Sequence, residues 1–290
     1  MIDLSITIVN YNTKNLLKNC IKSIYETTKN ISFEIIVVDN ASSDGSIEML
    51  KTEFPDVKII ANQENRFFAR AHNQALKISQ GKYLMILNSD TLILDNAFAK
   101  MVEFMDENPQ CGAVGPKFLN KDFTVQSIGH RFPTFIYGLF QLCFINTIFP
   151  NNPVRKKRFY EDINNINSPI EIDATGGACM LVRKEVVNKV GLLDENFLIY
   201  WEETDWCYRI HKDKWKIFYL CFAEVIHLGG EATMKKTTKL SLFFEKTFYN
   251  SMLYYYKKHY GILCMLFFKL ILNFYTKPLL KVYRFIKSIF

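Results

Sequence analysis

The chain has 290 residues, of which 49% are hydrophobic and 22% are charged. These values are typical of a globular protein and exclude a disordered one, and the length suits one large domain or a domain with an appendage. The net charge of +7 is concentrated in residues 235–290, which contain eleven Lys and Arg residues and one acid, Glu245. Because this basic segment is rich in Phe, Tyr and Leu, and no basic nucleic-acid-binding module is recognisable, it favours an anionic membrane surface over nucleic acid as its partner.

Seven cysteines are scattered along the sequence and form no CxxC pair. This distribution predicts free thiols in a reducing compartment and argues against a zinc site. The N-terminus lacks the basic segment of a secretory signal, and Asp3 interrupts the apolar run. We therefore expect a protein on the cytoplasmic side of the inner membrane, bound peripherally.

Four buried strands are predicted in the first ninety residues, at positions 4–9, 34–38, 57–60 and 83–87. Each run is apolar and β-branched, and helical patterns separate the runs, so we predict an α/β fold with a doubly wound, mostly parallel sheet. Ligands of such sheets bind beyond the carboxyl ends of the strands, where Asn10, Asp39 and Asp90 lie. The absence of GxGxxG and Walker A motifs disfavours a dinucleotide or P-loop enzyme.

The pattern weakens between residues 131 and 168, which contain Asn-rich turns and a basic patch at 155–158. We interpret this segment as a variable, partly mobile insertion on the acceptor side. After it, the pair Gly176-Gly177 either permits close approach of a ligand to the backbone or marks a β-bulge. Strands are predicted at 215–220 and 224–226, and the second places His227 at a strand end.

The last fifty residues predict three basic amphipathic helices, at 238–260, 262–275 and 277–289. The longest apolar stretch, 261–275, is interrupted by Lys269 and is short for a membrane span. We therefore expect these helices to lie in the membrane interface rather than to cross the bilayer.

Three carboxylates, Glu202, Glu203 and Asp205, stand close together in a segment rich in Trp and Tyr. Burial beside apolar rings and repulsion between like charges raise carboxylate pKa values, which suits a general base. The same pattern is also typical of a helical first turn in which acids face the helix dipole. The three residues alone leave both interpretations open.

Helical geometry distinguishes the three acids from one another. Glu202 and Glu203 are adjacent, so in a helix they point about 100° apart. Arg209 lies four residues beyond Asp205, where it can pair with that carboxylate and keep it ionised. Glu203 is then the acid without a cationic neighbour, and the tryptophans on either side of it can exclude water and raise its pKa.

Seven short segments complete the pattern, at residues 6–12, 37–46, 65–73, 87–91, 175–178, 201–209 and 227–230. They include Val37-Val-Asp-Asn-Ala-Ser-Ser-Asp-Gly-Ser46 and Trp201-Glu-Glu-Thr-Asp-Trp-Cys-Tyr-Arg209. In this order and spacing they resemble the motifs of the family 2 inverting glycosyltransferases of the GT-A fold, in the rhamnosyltransferase-like branch. The resemblance extends from residue 4 to about residue 230.

The resemblance implies roles for individual residues. A nucleotide-sugar would lose its diphosphate with the help of Mg²⁺ or Mn²⁺, for which Asp90 and His227 would be the protein ligands. Asp39 would accept a hydrogen bond from N3–H of uracil or thymine, and Glu203 fills the family's position for the general base. The other residues that match the nucleotide-sugar site are Val9, Asn10, Asn65, Arg70, Asn73, Asn88 and Ser89. The residues assigned to the acceptor are Gly176, Gly177, Trp201, Glu202, Asp205 and Arg209.

Three positions depart from the family's usual pattern. The segment Asn88-Ser89-Asp90 stands where Asp-x-Asp is usual, which leaves one metal-binding carboxylate. Phe67 stands where a Gly is usual, so we expect an altered pocket for the donor sugar. Glu203 replaces an Asp and is one methylene longer, which extends the reach of the base.

We therefore predict a metal-dependent inverting glycosyltransferase. It would transfer a sugar, rhamnose if it follows its branch, from a dTDP- or UDP-sugar to a polysaccharide or lipid-linked acceptor. Residues 1–110 would bind the nucleotide-sugar, residues 111–237 would bind the acceptor and perform catalysis, and residues 238–290 would associate with the membrane.

Two other functions remain open from the sequence. A nucleotidyltransferase is disfavoured because no Gly/Lys-rich phosphate loop follows the first strand. A non-catalytic nucleotide-sugar-binding module is disfavoured because Asp90, Glu203 and His227 are all present.

Overall fold

Residues 2–161, 166–229, 238–281 and 284 are described by a computed structural model. The strands in these residues are β1 (Leu4–Asn10), β2 (Phe33–Asp39), β3 (Lys58–Ala61), β4 (Tyr83–Asn88), β5 (Thr91–Ile93), β6 (Cys111–Leu119), β7 (Val125–Ser127), β8 (Ile170–Glu171), β9 (Cys179–Arg183) and β10 (Lys216–His227). The helices are α1 (Lys14–Thr27), α2 (Ser46–Glu53), α3 (Phe67–Ile78), α4 (Ala97–Glu107), α5 (Phe135–Leu142), α6 (Ile145–Ile148), α7 (Pro153–Arg158), α8 (Lys184–Val190), α9 (Glu202–Lys212), α10 (Thr238–Tyr260) and α11 (Ile262–Ile271). Gly230, the last residue of the motif at 227–230, lies outside the described residues.

One mixed sheet, in the order β3-β2-β1-β4-β9-β6-β10-β5, organises the protein. Strands β3, β2, β1 and β4 are parallel, which confirms the predicted doubly wound arrangement, and β9 is antiparallel to both of its neighbours. The register places Asn10 opposite Asp39 and Val9 opposite Asn88. The polar residues at these strand ends therefore meet at one edge of the sheet.

Helices cover both faces of this sheet. The apolar residues of α1, α2 and α4 pack on one face, and those of α3, α8 and α9 pack on the other. Alternate residues of β2 contribute to different layers, since Ile35 and Val37 face one side and Ile36 and Val38 face the other. This burial on both faces explains the continuous apolar runs of the sequence.

Some elements differ from the sequence-based expectations. The strands predicted at 215–220 and 224–226 are one strand, β10, with a register shift between Leu220 and Glu224. The segment at 131–168 contains three short helices, α5 to α7, although its residues 162–165 lie outside the described part of the chain. The sequence did not predict these helices because α5 and α7 contribute apolar residues to a layer with α10 and α11, which come much later in the chain.

The C-terminal helices form a third apolar layer with α5 and the start of α9. Phe268 and Tyr256 are fully buried, and Tyr256 Oη donates a hydrogen bond of 2.7 Å to Thr134 O. The layer consists of Tyr137, Leu142, Phe197, Trp201, Tyr249, Met252, Tyr255, Tyr256, Phe268 and Leu272. Residues 238–281 are therefore an integral layer of the described structure.

Helix α11 continues through a π-helical stretch, Leu272–Thr276, so the helical stretch extends over Ile262–Lys281. In the described part of the chain, this is the one helical stretch that could cross a membrane, judged by length and composition alone. The expectation that the stretch is too short to span is therefore wrong, because the helix does not end at Tyr275. The helix predicted at 277–289 is described only to Lys281 and at Arg284.

Asp205 anchors α10 to α9. Its Oδ2 accepts a hydrogen bond of 2.9 Å from Arg209 Nε, and its Oδ1 lies 2.7 Å from Lys258 Nζ and 2.8 Å from His259 Nε2. Burial alone would raise the pKa of this carboxyl, but the hydrogen bond from His259 and the charges of Arg209 and Lys258 hold the pKa below its usual value. The predicted pairing of Asp205 with Arg209 is confirmed, and two cationic or polar partners from α10 join it.

Replacement of Asp205 by Asn should lower the free energy of unfolding at pH 7 by roughly 3–5 kcal/mol, because it removes the fully buried charge on which Arg209, Lys258 and His259 converge. The folded-state pKa of Asp205 is depressed, so its stabilisation is full above the unfolded pKa and is lost as the pH falls through the folded pKa. The difference between wild type and Asp205→Asn should therefore shrink in acid. Chemical denaturation at several pH values measures it.

The control for this experiment is Glu53→Gln, which breaks an exposed ion pair with Lys18. Such a pair contributes about 0–1 kcal/mol. If Asp205→Asn costs no more than Glu53→Gln, the ion network does not anchor α10.

Candidate active site

A cleft of about 820 Å³ lies at the carboxyl ends of β1 and β4. Six residues that the sequence assigned to the nucleotide-sugar or the metal line it, namely Val9, Asn65, Asn88, Ser89, Asp90 and His227. The other lining residues are Tyr11, Thr13, Asn40, Phe67, Phe68, Ile199, Tyr200, Gly229, Phe243 and Phe244. The structure thus brings residues from both ends of the chain to the edge where the strands end.

Asn10 and Asp39 lie beneath the cleft and are fully buried. Asn10 Nδ2 donates a hydrogen bond of 2.7 Å to Asp39 Oδ2, and the backbone N–H of Ser42 donates one of 2.8 Å to Oδ1. Thr13 Oγ1 in turn donates to Asn10 Oδ1 at 2.6 Å. This network fixes the loop that carries Asn40 into the cleft, and direct contact of Asp39 with a base stays a prediction.

Arg70 and Asn73 are not among the residues that line the cleft. Arg70 is exposed on α3. The amide nitrogen of Asn73 donates to Leu193 O and to Glu195 Oε1, and its oxygen accepts a hydrogen bond from Leu193 N. Asn73 therefore holds α3 against the loop that follows α8, which is a structural role that the sequence did not predict.

Asp90 and His227 come together from the ends of different strands, with Oδ1 3.5 Å from Nε2. The amide nitrogen of Gln126 donates to Asn120 Oδ1 and to His227 O, so its amide oxygen faces His227 Nδ1 at 2.8 Å. Nδ1 therefore carries the ring proton, and Nε2 keeps its lone pair on the side of Asp90. A carboxylate beside a histidine held in this way fits a divalent cation.

This pair provides only part of a coordination sphere. In the described ranges, no group of three or more His, Cys, Asp or Glu side chains comes together. Mg²⁺ and Mn²⁺ bind mostly oxygen ligands and commonly share them with water and substrate phosphates. The remaining ligands of such an ion would therefore come from solvent and a bound diphosphate.

Glu203 lies at the start of α9. It does not line the cleft itself but lies near Phe68, which does. A Cβ atom on Gly177 would lie 3.3 Å from Glu203 Cβ and 3.6 Å from Cζ of Phe68, which lines the cleft. Thr204 Oγ1 donates to Glu203 Oε1 at 3.3 Å and lies 2.9 Å from His130 Nε2. Because the Thr204 hydroxyl proton is used on Glu203, His130 Nε2 is the donor in the second hydrogen bond.

The three acids at the start of α9 have different electrostatic environments. Enclosure raises the pKa of Glu203, although hydrogen bonds from its own backbone N–H and from Thr204 and the charge of Arg158 oppose the shift. The expectation that Glu203 has no cationic neighbour is therefore wrong. Burial and the neighbouring charge of Glu203 raise the pKa of Glu202 well above its usual value, and Glu202 Oε2 has no hydrogen-bond partner among the described residues. With Asp205 ionised in its network, Glu203 is an acid with a raised pKa whose side chain lies near Gly177 and Phe68, and Phe68 lines the cleft.

The residues assigned to the acceptor are used partly in internal contacts. Trp201 packs against Tyr255 with ring centroids 5.2 Å apart, and Arg209 donates hydrogen bonds to Val190 O and Leu192 O as well as to Asp205. A Cβ on Gly176 would contact the ring of Phe118 at 3.4 Å. Contact of these residues with an acceptor stays a prediction.

Aromatic side chains from α10 form a wall of the cleft that the sequence analysis missed. The ring of Phe67 stacks on Phe243 with centroids 5.8 Å apart, and Tyr200 meets Phe244 at 6.5 Å. Phe67 has a φ of 60°, in the region that favours glycine. The sequence signal was therefore Phe67 at the position of a usual Gly, whereas nothing in the sequence indicated contact with α10.

Comparison with known proteins agrees with this geometry. A model of "Glycosyl transferase family 2" matches residues 5–191. The chain belongs to this family. It is 23% identical over 210 residues to an N-acetylglucosaminyl-diphospho-decaprenol L-rhamnosyltransferase of Mycobacterium tuberculosis, which covers 69% of this chain and 67% of that protein. It is 30% identical over 137 residues to the Escherichia coli UDP-Glc:alpha-D-GlcNAc-diphosphoundecaprenol beta-1,3-glucosyltransferase WfaP, which covers 46% of this chain and 53% of that protein.

Solved structures support the GT-A fold. The structure of GalNAc-T7 with UDP, GalNAc and Mn²⁺ matches with a TM-score of 0.58 and 17% sequence identity. The match covers 78% of this chain and 44% of that chain. The match shows that this chain shares the fold of GalNAc-T7, so the predicted fold class is confirmed.

Asp90→Asn should abolish the enhancement of UDP or dTDP binding by Mn²⁺, because it removes the carboxylate that lies beside His227. We expect a loss of about tenfold or more in nucleotide affinity with Mn²⁺ and little change in EDTA. Isothermal titration calorimetry with each nucleotide, with and without Mn²⁺, measures the effect. The matched control is Asp95→Asn, whose carboxylate is exposed and pairs with Lys100. Equal enhancement by Mn²⁺ in Asp90→Asn and in wild type would show that Asp90 holds no metal.

Proposed function

We propose that this chain is an inverting hexosyltransferase that moves a sugar from a dTDP- or UDP-sugar to a lipid-linked glycan acceptor. Family membership supports sugar transfer, and two relatives are named for acceptors linked to a polyprenyl diphosphate. Rhamnose is our candidate sugar, since one of these relatives is named as a rhamnosyltransferase.

The position of Glu203 carries this proposal. Inversion needs one in-line displacement, in which the acceptor oxygen bonds to the anomeric carbon as the bond to the diphosphate breaks. Glu203 would take the proton of the acceptor hydroxyl, and the hydrogen bond from Thr204 would orient its carboxylate. A divalent ion held by Asp90 and His227, when bound, would neutralise the leaving diphosphate.

The two alternative functions fit these observations less well. A nucleotidyltransferase is disfavoured because no Gly/Lys-rich phosphate loop follows β1. A non-catalytic module would have no need for a carboxylate with a raised pKa next to the cleft. We therefore retain the glycosyltransferase, with residues 1–110 proposed for the donor and residues 111–237 for the acceptor.

We also propose that the protein lies on the cytoplasmic face of the inner membrane through an apolar patch on α5, α6 and α11. The patch consists of the exposed residues Phe135, Ile136, Ile148, Phe149, Leu263, Leu266, Phe267, Leu270 and Phe274. Phe135 stacks on Phe267 at 5.7 Å, which joins α5 to α11. Lys269, Lys277 and Lys281 on the same helical stretch suit anionic headgroups.

Surface binding suits this helical stretch better than crossing does. One side of the stretch is packed on the protein, because Phe268, Leu272 and Thr276 are buried. Thr276 Oγ1 donates to Leu142 O at 2.8 Å. A helix held in this way exposes the apolar patch on its other side and can lie in the interface.

Glu203→Gln should reduce sugar transfer by about 10²-fold or more while leaving binding of the nucleotide and Mn²⁺ unchanged, the usual scale for loss of a general base. The base acts ionised and its pKa is raised, so wild-type kcat/KM should rise with pH through a value above that of an ordinary Glu. Transfer from UDP- and dTDP-sugars to a polyprenyl-diphosphate-linked GlcNAc, followed against pH, tests both points.

Glu185→Gln is the control, since Glu185 is an exposed acid on α8. Glu203→Asp should retain part of the activity, because the family commonly has Asp there. If Glu203→Gln transfers sugar at a near wild-type rate while folded Asp205→Asn is inactive, the base is Asp205.

Substitution of Leu263, Leu270 and Phe274 by Ser should weaken binding to vesicles that contain anionic lipid by about tenfold or more, because each side chain loses apolar burial. Leu263 and Phe274 are each 79% exposed, so the fold should be unaffected. Co-sedimentation at two salt concentrations measures binding, and Phe123→Ser, which removes an exposed Phe elsewhere, is the control. Equal sedimentation of the triple variant and wild type would reject the membrane role of the patch. Substitution is preferable to deletion of residues 238–290, since deletion would expose Trp201 and its neighbours.

A further inference from the structure

Arg158, at the end of α7, is a buried cation that forms no ion pair with a carboxylate among the described residues. Arg158 is 8% exposed, and its Nη1 donates a hydrogen bond to Arg131 O. Nε has no hydrogen-bond partner among the described residues, and no carboxylate in that part of the chain forms an ion pair with the guanidinium. Arg155 on the same helix, by contrast, pairs with Glu161 at 2.8 Å.

The contacts of the Arg158 guanidinium offset only part of the cost of its burial. Its Cζ lies 5.3 Å from the ring centroid of Tyr137 and 5.5 Å from that of Phe159. Cation–π contacts of this kind are weaker than a hydrogen-bonded ion pair with an anion. A buried guanidinium that is hydrogen-bonded to no anion in the described part of the chain is therefore suited to receive one from a ligand.

A second polar group beside the same aromatic layer is also unpartnered. Tyr255 is fully buried, and its hydroxyl has no hydrogen-bond partner among the described residues. The charge of Arg158 acts on Tyr255 and on Glu203, which places all three groups in one electrostatic neighbourhood. Two unsatisfied donors, one of them charged, therefore lie near the side chain that we assign as the base.

This neighbourhood is also next to the apolar patch. Tyr137, which contacts Arg158, is buried, whereas Phe135 and Ile136 before it are exposed members of the patch. An amphiphile with its chain on the patch would have its headgroup beside Tyr137, whose ring contacts the Arg158 guanidinium. The charged end of such a molecule would then lie between the membrane surface and Glu203.

We propose that Arg158, assisted by the hydroxyl of Tyr255, binds the diphosphate of a prenyl-diphosphate-linked acceptor and so presents the acceptor sugar to Glu203. The guanidinium fork matches phosphate oxygens, and a diphosphate supplies the anion that the site lacks. This inference rests on the proposed function, since it names the binding site of the proposed acceptor class.

Binding of geranyl diphosphate to the full chain in detergent micelles tests the inference. EDTA is present throughout, so that a diphosphate cannot bind through a metal at Asp90 and His227. Calorimetry should show binding by wild type and a loss of about tenfold or more in Arg158→Met, the scale of a charge-assisted hydrogen bond. Arg155→Met, the matched control on the same helix, should bind within twofold of wild type. Equal affinity of Arg158→Met and wild type would overturn the inference.

Tyr255→Phe provides a variant that should fold normally, because it removes a hydroxyl that has no partner among the described residues. It should weaken binding of geranyl diphosphate severalfold, so it decides the matter even if Arg158→Met does not fold. Unchanged binding by Tyr255→Phe together with a misfolded Arg158→Met would count against the site.

Inorganic pyrophosphate separates an acceptor site from a site for free anions. We expect it to bind much more weakly than geranyl diphosphate, since it lacks the chain that contacts the patch. If it binds as tightly, the assignment to a lipid-linked acceptor is wrong. Binding of UDP or dTDP with Mn²⁺ should be unchanged in all three variants. If the proposed function is wrong, wild type itself would bind no nucleotide or transfer no sugar. Failure of this inference alone would leave both of those wild-type activities intact.

Discussion

The fully buried carboxylate of Asp205 joins the C-terminal helices to the sheet domain. It accepts hydrogen bonds from Arg209 on its own helix and from His259 and forms an ion pair with Lys258, both of which belong to α10. A carboxylate without exposure to water needs such partners, because an unpaired buried charge is costly. The position of α10, and with it the aromatic wall of the cleft, depends on this interaction.

The position of α10 has consequences for the neighbouring acids. Trp201 packs against Tyr255 and Tyr256 of this helix, and Glu202 and Glu203 follow directly in sequence. The enclosure that results raises the pKa of both glutamates, while the cations of α10 lower the pKa of Asp205. Helix α10 therefore lowers the pKa of a structural carboxylate, Asp205, while its packing helps to raise the pKa of Glu203, which is suited to accept a proton.

The arrangement also relates the membrane to the chemistry. Helix α10 contributes Phe243 and Phe244 to the cleft at one end and packs against α11 and α5 at the other. The apolar patch adjoins Tyr137 in sequence, Tyr137 contacts the buried Arg158, and the charge of Arg158 acts on the candidate base Glu203. Under our proposals, a lipid-linked acceptor would reach the base from the membrane side, and the nucleotide-sugar would occupy the cleft at the strand ends.

The sequence by itself determined the parallel half of the sheet and the edge at which ligands bind. Buried parallel strands need continuous apolar runs, and polar residues follow these runs at Asn10, Asp39 and Asn88 to Asp90. Local spacing also determined the pairing of Asp205 with Arg209, because residues four apart share a helix face. The order of the motifs was sufficient to indicate the family and the residues Asp90, His227 and Glu203.

Only the tertiary structure decided which of these residues line the cleft and which hold the fold together. Asn73 matches a donor-site motif, yet its amide holds the loop at Leu193 and Glu195. Phe243 gave no signal in the sequence, and the basic patch at 155–158 did not distinguish Arg158 from its neighbours, because the surroundings of both residues are set by contacts between segments that are distant in the chain. The short helices α5 and α7 likewise pack in one layer with α10 and α11, and neither propensity nor periodicity records a contact with a distant segment.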